Sequence, residues 1–286
     1  MAPKRTEAPP GIAREGVSRF FADRVPGGDV PLAFSLIHGG RSNLTYLVEG
    51  GGARWVLRRP PLGHVLPTAH DMAREYRVLR ALADTDVPTP RPFALCEDPE
   101  VNGAPFYVME FRPGVVLTER LPDEFAPRED DRRRISLALV DALVRLHAVD
   151  PDAVGLGDFG RPAGYLERQV RRWAQQWERS KTRDDARIEE LIRRLRAALP
   201  RSPEPSIVHG DYRLGNMALD PADPGRVTAI FDWEMATLGD PLADLGYTLI
   251  YWAEPGDAPQ PGGVEAALTS APGFLGRDEL VAEYAR

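Results

Sequence analysis

Cysteine is almost absent from this chain: Cys96 stands alone among 286 residues. That excludes an internal disulfide framework and suits a reducing, cytoplasmic setting. Lysine is nearly as scarce, with only Lys4 and Lys181 present, so a cation set against a phosphate has to be an arginine at almost every position. No apolar run approaches the length of a membrane span, and the longest helical candidate carries Asp141 in its middle. The N-terminus, MAPKRTEAPPG, lacks the apolar core of a signal peptide and reads as a disordered tail. Positive charge is also short: a formal net charge of −7 argues against duplex nucleic acid as a partner. What the chain does have is size and apolar content, 43% hydrophobic, enough for two lobes sharing a cleft.

Asn and His number only three and five, so a pattern that uses both is specific. One such pattern, H-G-D-x4-N, spans residues 209–216 after the apolar pair Ile207-Val208. A second apolar run, 227–231, ends in Asp232 of F-D-W-E. Phosphoryl transfer needs a carboxylate to receive the acceptor hydroxyl's proton. It also needs an amide oxygen and a second carboxylate to hold Mg²⁺ against the ATP phosphates. Asp211, Asn216 and Asp232 match those three needs. A plainer reading makes Asp211 and Asn216 turn formers and Asp232 a helix cap. On these residues the chain resembles the aminoglycoside phosphotransferase and choline kinase superfamily, and most nearly the branch found as kinase-like domains of acyl-CoA dehydrogenase family members.

The resemblance implies an α+β, two-lobed protein-kinase-like fold, with an N-lobe at residues 1–111, a hinge at 112–114 and a C-lobe at 115–286. The N-lobe carries a helical pattern over 11–25 and strand-like runs over 32–37, 44–48 and 55–57. The HGGRSN segment between the first two runs fits an ordinary hairpin turn. It equally fits a phosphate-binding loop resembling the family's GGxSN, with Ser42 and Asn43 as donors. Arg58 stands where the superfamily usually has the lysine that pairs the α- and β-phosphates, while Arg59 reads as a surface residue on an edge strand. Thr68 and Asp71 form a capping-box pattern ahead of a helix bearing Met72, Tyr76, Leu79 and Ala83 on one stripe. Glu75 shares that stripe, and a buried carboxylate there needs a cation, for which Arg58 is the natural partner. A solvated Glu75 at the stripe's edge is the alternative.

Two further strands, 92–97 and 105–111, read as a hairpin closed by Asn102-Gly103. By resemblance the hinge backbone of Glu110 and Arg112 holds adenine, with Met109 behind it; a plain core Met is the other reading. A helix covers about 130–147, ending in His147, a packing or helix-terminal residue. Two more cover 163–179 and 184–199, with Trp173 and Trp177 on one stripe expected in the core. Residues 167–201 hold eleven basic and six acidic side chains, either a solvated face or a surface that receives an anionic acceptor. His209 is expected to brace the loop, and Asp240 and Asp244 to be structural. The helix after Asp240-Pro241 points Tyr247, Tyr251 and Trp252 toward the acceptor cleft. The last helix ends at Arg286, where relatives usually continue.

The expected activity is ATP- and Mg²⁺-dependent phosphorylation of a small-molecule hydroxyl, with no membrane or nucleic-acid partner. Alternatives are an aminoglycoside or macrolide phosphotransferase and a non-catalytic nucleotide-binding module. A protein kinase is disfavoured, because no long activation segment separates Asp232 from Asp240.

Overall fold

The computed structural model describes residues 8–38, 43–63, 70–118, 120–258 and 268–286. Helix α1 (Arg14–Arg24) precedes strands β1 (Ala33–His38), β2 (Leu44–Gly50) and β3 (Ala53–Arg59). Helix α2 (Met72–Leu82), strand β4 (Pro92–Cys96), the short helix α3 (Pro99–Asn102) and strand β5 (Phe106–Glu110) complete an antiparallel sheet of order β1-β2-β3-β5-β4. Strand alternation decides its packing. Trp55, Leu57, Phe106 and Val108 face Val17 and Phe21 of α1, while Val56, Tyr107 and Met109 face Met72, Val78 and Leu79 of α2. Both faces of the sheet are therefore covered.

The α2-side core continues into the second half of the chain, through Ile135, Leu139, Leu143, Ile207, Tyr212, Met217 and Ile230. That half is mainly helical: α4 (Glu129–His147), α5 (Tyr165–Ser180), α6 (Ala186–Ala197), α7 (Leu242–Ile250) and α8 (Arg277–Tyr284). Two small antiparallel pairs lie between them. Strands β6 (Ser206–Val208) and β9 (Thr237–Gly239) form one, and β7 (Met217–Asp220) and β8 (Asp223–Ile230) the other. After β5 the chain runs irregularly through residues 111–114, and Val115 then exchanges backbone hydrogen bonds with Leu219 of β7 at 2.8 and 2.9 Å.

Four local expectations are corrected. Asp71 itself is the N-cap of α2, accepting from the Arg74 amide at 2.9 Å; Thr68 lies outside the described residues. Strands β4 and β5 pair antiparallel as expected, but Asn102-Gly103 is not a two-residue hairpin turn. Asp98 and Pro99 start the helical turn α3, and Gly103 closes it at φ 73°. Arg59 is buried on the central strand β3, donating to the Asn102 carbonyl at 3.1 Å. Trp173 is 58% exposed, and none of the residues of α6 is buried. Lys181, Arg187, Arg193 and Arg194 pair with neighbouring acids of this helical hairpin, so much of the basic excess is a solvated face.

Candidate active site

Strand β6 delivers His209, Gly210 and Asp211 into a tight loop. The loop is latched from α7, where the buried Asp244 carboxylate accepts from the His209 amide at 2.6 Å and the Gly210 amide at 2.8 Å. Gly210 has φ 86°, and a Cβ there would lie 2.8 Å from the Met235 Cβ, so this turn demands glycine. The His209 ring spans the loop. Nε2 donates to the Phe231 carbonyl at 2.8 Å, and Nδ1 accepts from the Asp211 amide at 3.2 Å. His147 at the end of α4 sits 3.3 Å from the Asp244 carboxylate and 2.8 Å from the Tyr284 hydroxyl of α8.

The 3-10 turn Leu214–Asn216 brings Asn216 back to Asp211. Its Nδ2 donates to the Asp211 backbone carbonyl at 2.8 Å and to Oδ2 at 2.7 Å. Both amide hydrogens are thus used on Asp211, and Oδ1 of Asn216 accepts no hydrogen bond among the described residues. The Asn216 carbonyl accepts from the Phe231 amide at 2.8 Å, which fixes the base loop to the segment holding Asp232. Asp232 has φ 63°, the only non-glycine residue with positive φ among those described. Such a backbone costs on the order of 1 kcal/mol and is kept where surrounding structure enforces it.

Arg58 joins this segment to the sheet. Its Nε donates to Glu75 Oε2 at 2.8 Å, Nη1 to Thr45 Oγ1 at 3.3 Å, and Nη2 to Asp232 Oδ1. Glu75 is 1% exposed and also accepts from Tyr107 OH at 3.0 Å and Asn43 Nδ2 at 2.7 Å. Burial works against charge on Arg58, but the Glu75 and Asp232 carboxylates outweigh it and keep the guanidinium firmly protonated. Burial likewise pushes the Glu75 carboxyl up, with Arg58 opposing. Asn43 is fully buried and reaches a second carboxylate, Glu234 Oε2, at 3.1 Å, while its own Oδ1 has no partner among the described residues. Glu234 is pushed up to about 7 by burial and by the neighbouring Asp232 charge.

Arg58, Glu75, Asn43 and Asp232 therefore form one connected group, joined to Asp211 and Asn216 through residue 231. Met109 is buried on the α2 side of β5, and Glu110 and Arg112 pair with each other at 2.9 Å near the surface. Ser42 lies outside the described residues. Sequence reasoning missed Glu234, Tyr107, Arg213 and the crossbar role of Asn43. Glu234 had a readable signal, a carboxylate two residues beyond Asp232. Trp252 does not face the cleft: it is buried, and its indole donates to the Leu275 carbonyl at 2.8 Å.

The oxygens left at the centre are hard donors: Oδ1 of Asn216 and a partly exposed carboxylate at Asp232. That set fits Mg²⁺, which takes few protein ligands and draws the rest from phosphates and water. Among the described residues no cluster of three or more His, Cys, Asp or Glu forms a metal cage. No helix among them is long and apolar enough to cross a membrane.

Residues 33–280 match the model of the family described as "Phosphotransferase enzyme family". The chain belongs to that family. Mouse acyl-CoA dehydrogenase family member 10 is 39% identical over 220 residues, covering 77% of this chain and 20% of that protein. Human acyl-CoA dehydrogenase family member 11 is 32% identical over 271 residues, covering 94% and 34%. The chain thus spans a fifth to a third of these relatives. Among solved structures, a candidate aminoglycoside phosphotransferase from Ralstonia eutropha JMP134 is 35% identical, with TM-score 0.80, covering 96% of this chain and 79% of that one. More distant phosphotransferases share the fold alone. One, solved with GDP and kanamycin, is 18% identical with TM-score 0.62, covering 94% and 86%.

Proposed function

We propose that this family member is an ATP- and Mg²⁺-dependent kinase acting on a hydroxyl of a small molecule. The observation that carries this reading is the coupled pair Asp211 and Asn216, with Asp232 held beside them by the Phe231–Asn216 hydrogen bond. Asp211 takes the proton of the acceptor hydroxyl as the oxygen attacks phosphorus. Asn216 and Asp232 hold Mg²⁺, which when bound draws charge from the phosphate oxygens. Arg58, oriented by Glu75, faces the phosphates. Ser42 and Asn43 are assigned as donors to the phosphates, and the backbone of Glu110 and Arg112, with Met109 behind, receives adenine. On this reading residues 1–111 and 115–286 are lobes hinged at 112–114, and the enzyme is cytoplasmic, with no nucleic-acid or membrane partner.

The acceptor favoured here is an anionic or partly apolar hydroxylated molecule, such as a hydroxyacyl thioester of coenzyme A. The names of the longer relatives support it, as does an arginine, Arg213, beside the base. A polycationic aminoglycoside needs a carboxylate-rich wall, yet the distant fold neighbours keep an antibiotic as the second reading. ADP release against a panel of hydroxyacyl thioesters, aminoglycosides, macrolides and choline-like alcohols decides between them. Turnover of a thioester is expected; turnover of an aminoglycoside alone would replace the acceptor and leave the kinase standing. No Mg²⁺-dependent ATP use with any of them would leave a nucleotide-binding module.

A further inference from the structure

The latch on the base loop has a second end. Asp244 is buried, and its Oδ1 is taken by the Gly210 amide at 2.8 Å. Its Oδ2 takes the His209 amide at 2.6 Å and faces His147 Nε2 at 3.3 Å. The His147 side chain is equally enclosed, 6% exposed. Its other nitrogen, Nδ1, lies 2.8 Å from the Tyr284 hydroxyl, and the two rings meet edge to face with centroids 5.8 Å apart. Tyr284 is delivered by a well-seated helix: Leu280 of α8 is fully buried, Arg277 pairs with Glu254 at 3.0 Å, and its Nε donates to the Trp252 carbonyl at 2.8 Å. One line of contacts thus joins the end of α8 to the two amides that precede Asp211.

A neutral imidazole carries one N–H, and which nitrogen bears it is set by the partner of the other. With the hydrogen on Nε2, His147 donates to Asp244. With the hydrogen on Nδ1, a lone pair faces the buried carboxylate, which then has to turn from the position that serves the His209 and Gly210 amides. The Tyr284 hydroxyl decides between the two forms by donating to Nδ1. Burial and the Asp244 and Asp240 charges push that phenol up, so it keeps the hydrogen it has to give. Resting on the reading of Asp211 as the base, we infer that Tyr284 is a positioning residue for it. The hydroxyl holds His147 in the Nε2–H form, and Asp244, so supported, fixes the turn that aims Asp211. Helix α8 thereby acts on the base through the side chains of Tyr284, His147 and Asp244.

Histidine ¹⁵N spectra and backbone amide shifts of the nucleotide-free chain, taken at about pH 8 where an ordinary imidazole is neutral, read the arrangement directly. Wild type is expected to show His147 with its hydrogen on Nε2. Tyr284→Phe keeps the ring and removes only the hydroxyl; it is expected to populate the Nδ1–H form and to shift the His209 and Gly210 amides. ADP release from Mg²⁺–ATP, with water as the acceptor, is expected to slow about 2- to 10-fold, while calorimetric ATP affinity stays unchanged. In His147→Gln the side-chain amide donates to Asp244 without a tautomer to choose. Adding Tyr284→Phe to that variant is therefore expected to change neither the amide shifts nor turnover, and Tyr284→Phe alone carries the test if His147→Gln does not fold. A hydrogen on Nδ1 in wild type, unmoved amides or undiminished ADP release in Tyr284→Phe, or an equal effect of that substitution in both backgrounds would each overturn the assignment. Absence of ADP release from wild type would instead defeat the kinase reading, and the spectra would then decide the hold of Tyr284 on the loop.

Discussion

Replacing Glu75 by Ala tests the junction between sheet and catalytic segment most directly. The carboxylate is 1% exposed and receives three donors, from Arg58, Asn43 and Tyr107 at 2.8, 2.7 and 3.0 Å. Asn43 retains Glu234 as a partner, but Tyr107 loses its acceptor and Arg58, 7% exposed, keeps only Asp232 and Thr45 among the described residues. Breaking one side of a buried ion pair costs about 3–5 kcal/mol; exposure is too low for solvent to soften the loss. At about 2–4 °C per kcal/mol the melting temperature should fall by roughly 6–20 °C. ATP affinity should fall at least tenfold, about 1.4 kcal/mol, because Arg58 is no longer aimed. Glu75→Gln, which keeps the shape and one acceptor oxygen, should lose less on both measures. Denaturant unfolding and calorimetric ATP titration of Glu75→Ala, Arg58→Met and the double variant form a cycle expected to show coupling of about 1–3 kcal/mol. A loss below about 1 kcal/mol for Glu75→Ala together with an additive cycle would refute the pairing as an organising contact.

Asp211→Asn should bind ATP normally yet turn over about 10²- to 10⁴-fold more slowly, whereas Asp232→Ala should also lose the Mg²⁺-dependent part of ATP affinity; titrations with and without Mg²⁺ separate the two. Glu234 is raised from 4.5 to about 7 in the folded chain, so its contribution to stability is present below pH 4.5 and is lost as pH climbs through about 7, a span worth on the order of 3 kcal/mol. The nucleotide-free chain should therefore lose stability between about pH 5 and pH 8, and Glu234→Gln should flatten that slope in thermal melts. Gly210→Ala meets both a left-handed φ of 86° and a contact of 2.9 Å with the Met235 carbonyl. It should cost about 1–3 kcal/mol and lower turnover more than ATP affinity; unchanged turnover would show that the loop tolerates the shift.

Much of this architecture was legible in the sequence because its signals are local. H-G-D-x4-N fixes a loop by itself, and Glu75 on an apolar stripe advertises a buried partner. What was not legible depends on what lies on the other side. Arg58 and Arg59 are neighbours on opposite faces of β3, and the second is covered by Gly11, ahead of α1, and by Asn102 of α3, whose carbonyls accept from its guanidinium. Asn102-Gly103 carries a hairpin signature, but Asp98-Pro99 upstream carries a helix start, and the helix won. Trp252 follows α7 directly, and its direction is set by the Leu275 carbonyl, 23 residues away. Asn43 sits within a phosphate-loop pattern, yet its amide spans two carboxylates, one of them 191 residues distant. Pairings that remote leave no period in the chain.

The helical hairpin of α5 and α6 divides the molecule into parts with different freedom to change. Its first turn is fixed, since the Tyr165 ring fills the space beside Gly239 of β9. Beyond that α6 buries nothing, and substitutions at such positions shift stability by only about 0.5 kcal/mol. Every residue around Asp211, Asn216 and Glu75 answers to several partners at once, so a change there is felt throughout the site. The hairpin is where a new acceptor surface can be tried, by selection or by an engineer, without disturbing the catalytic centre.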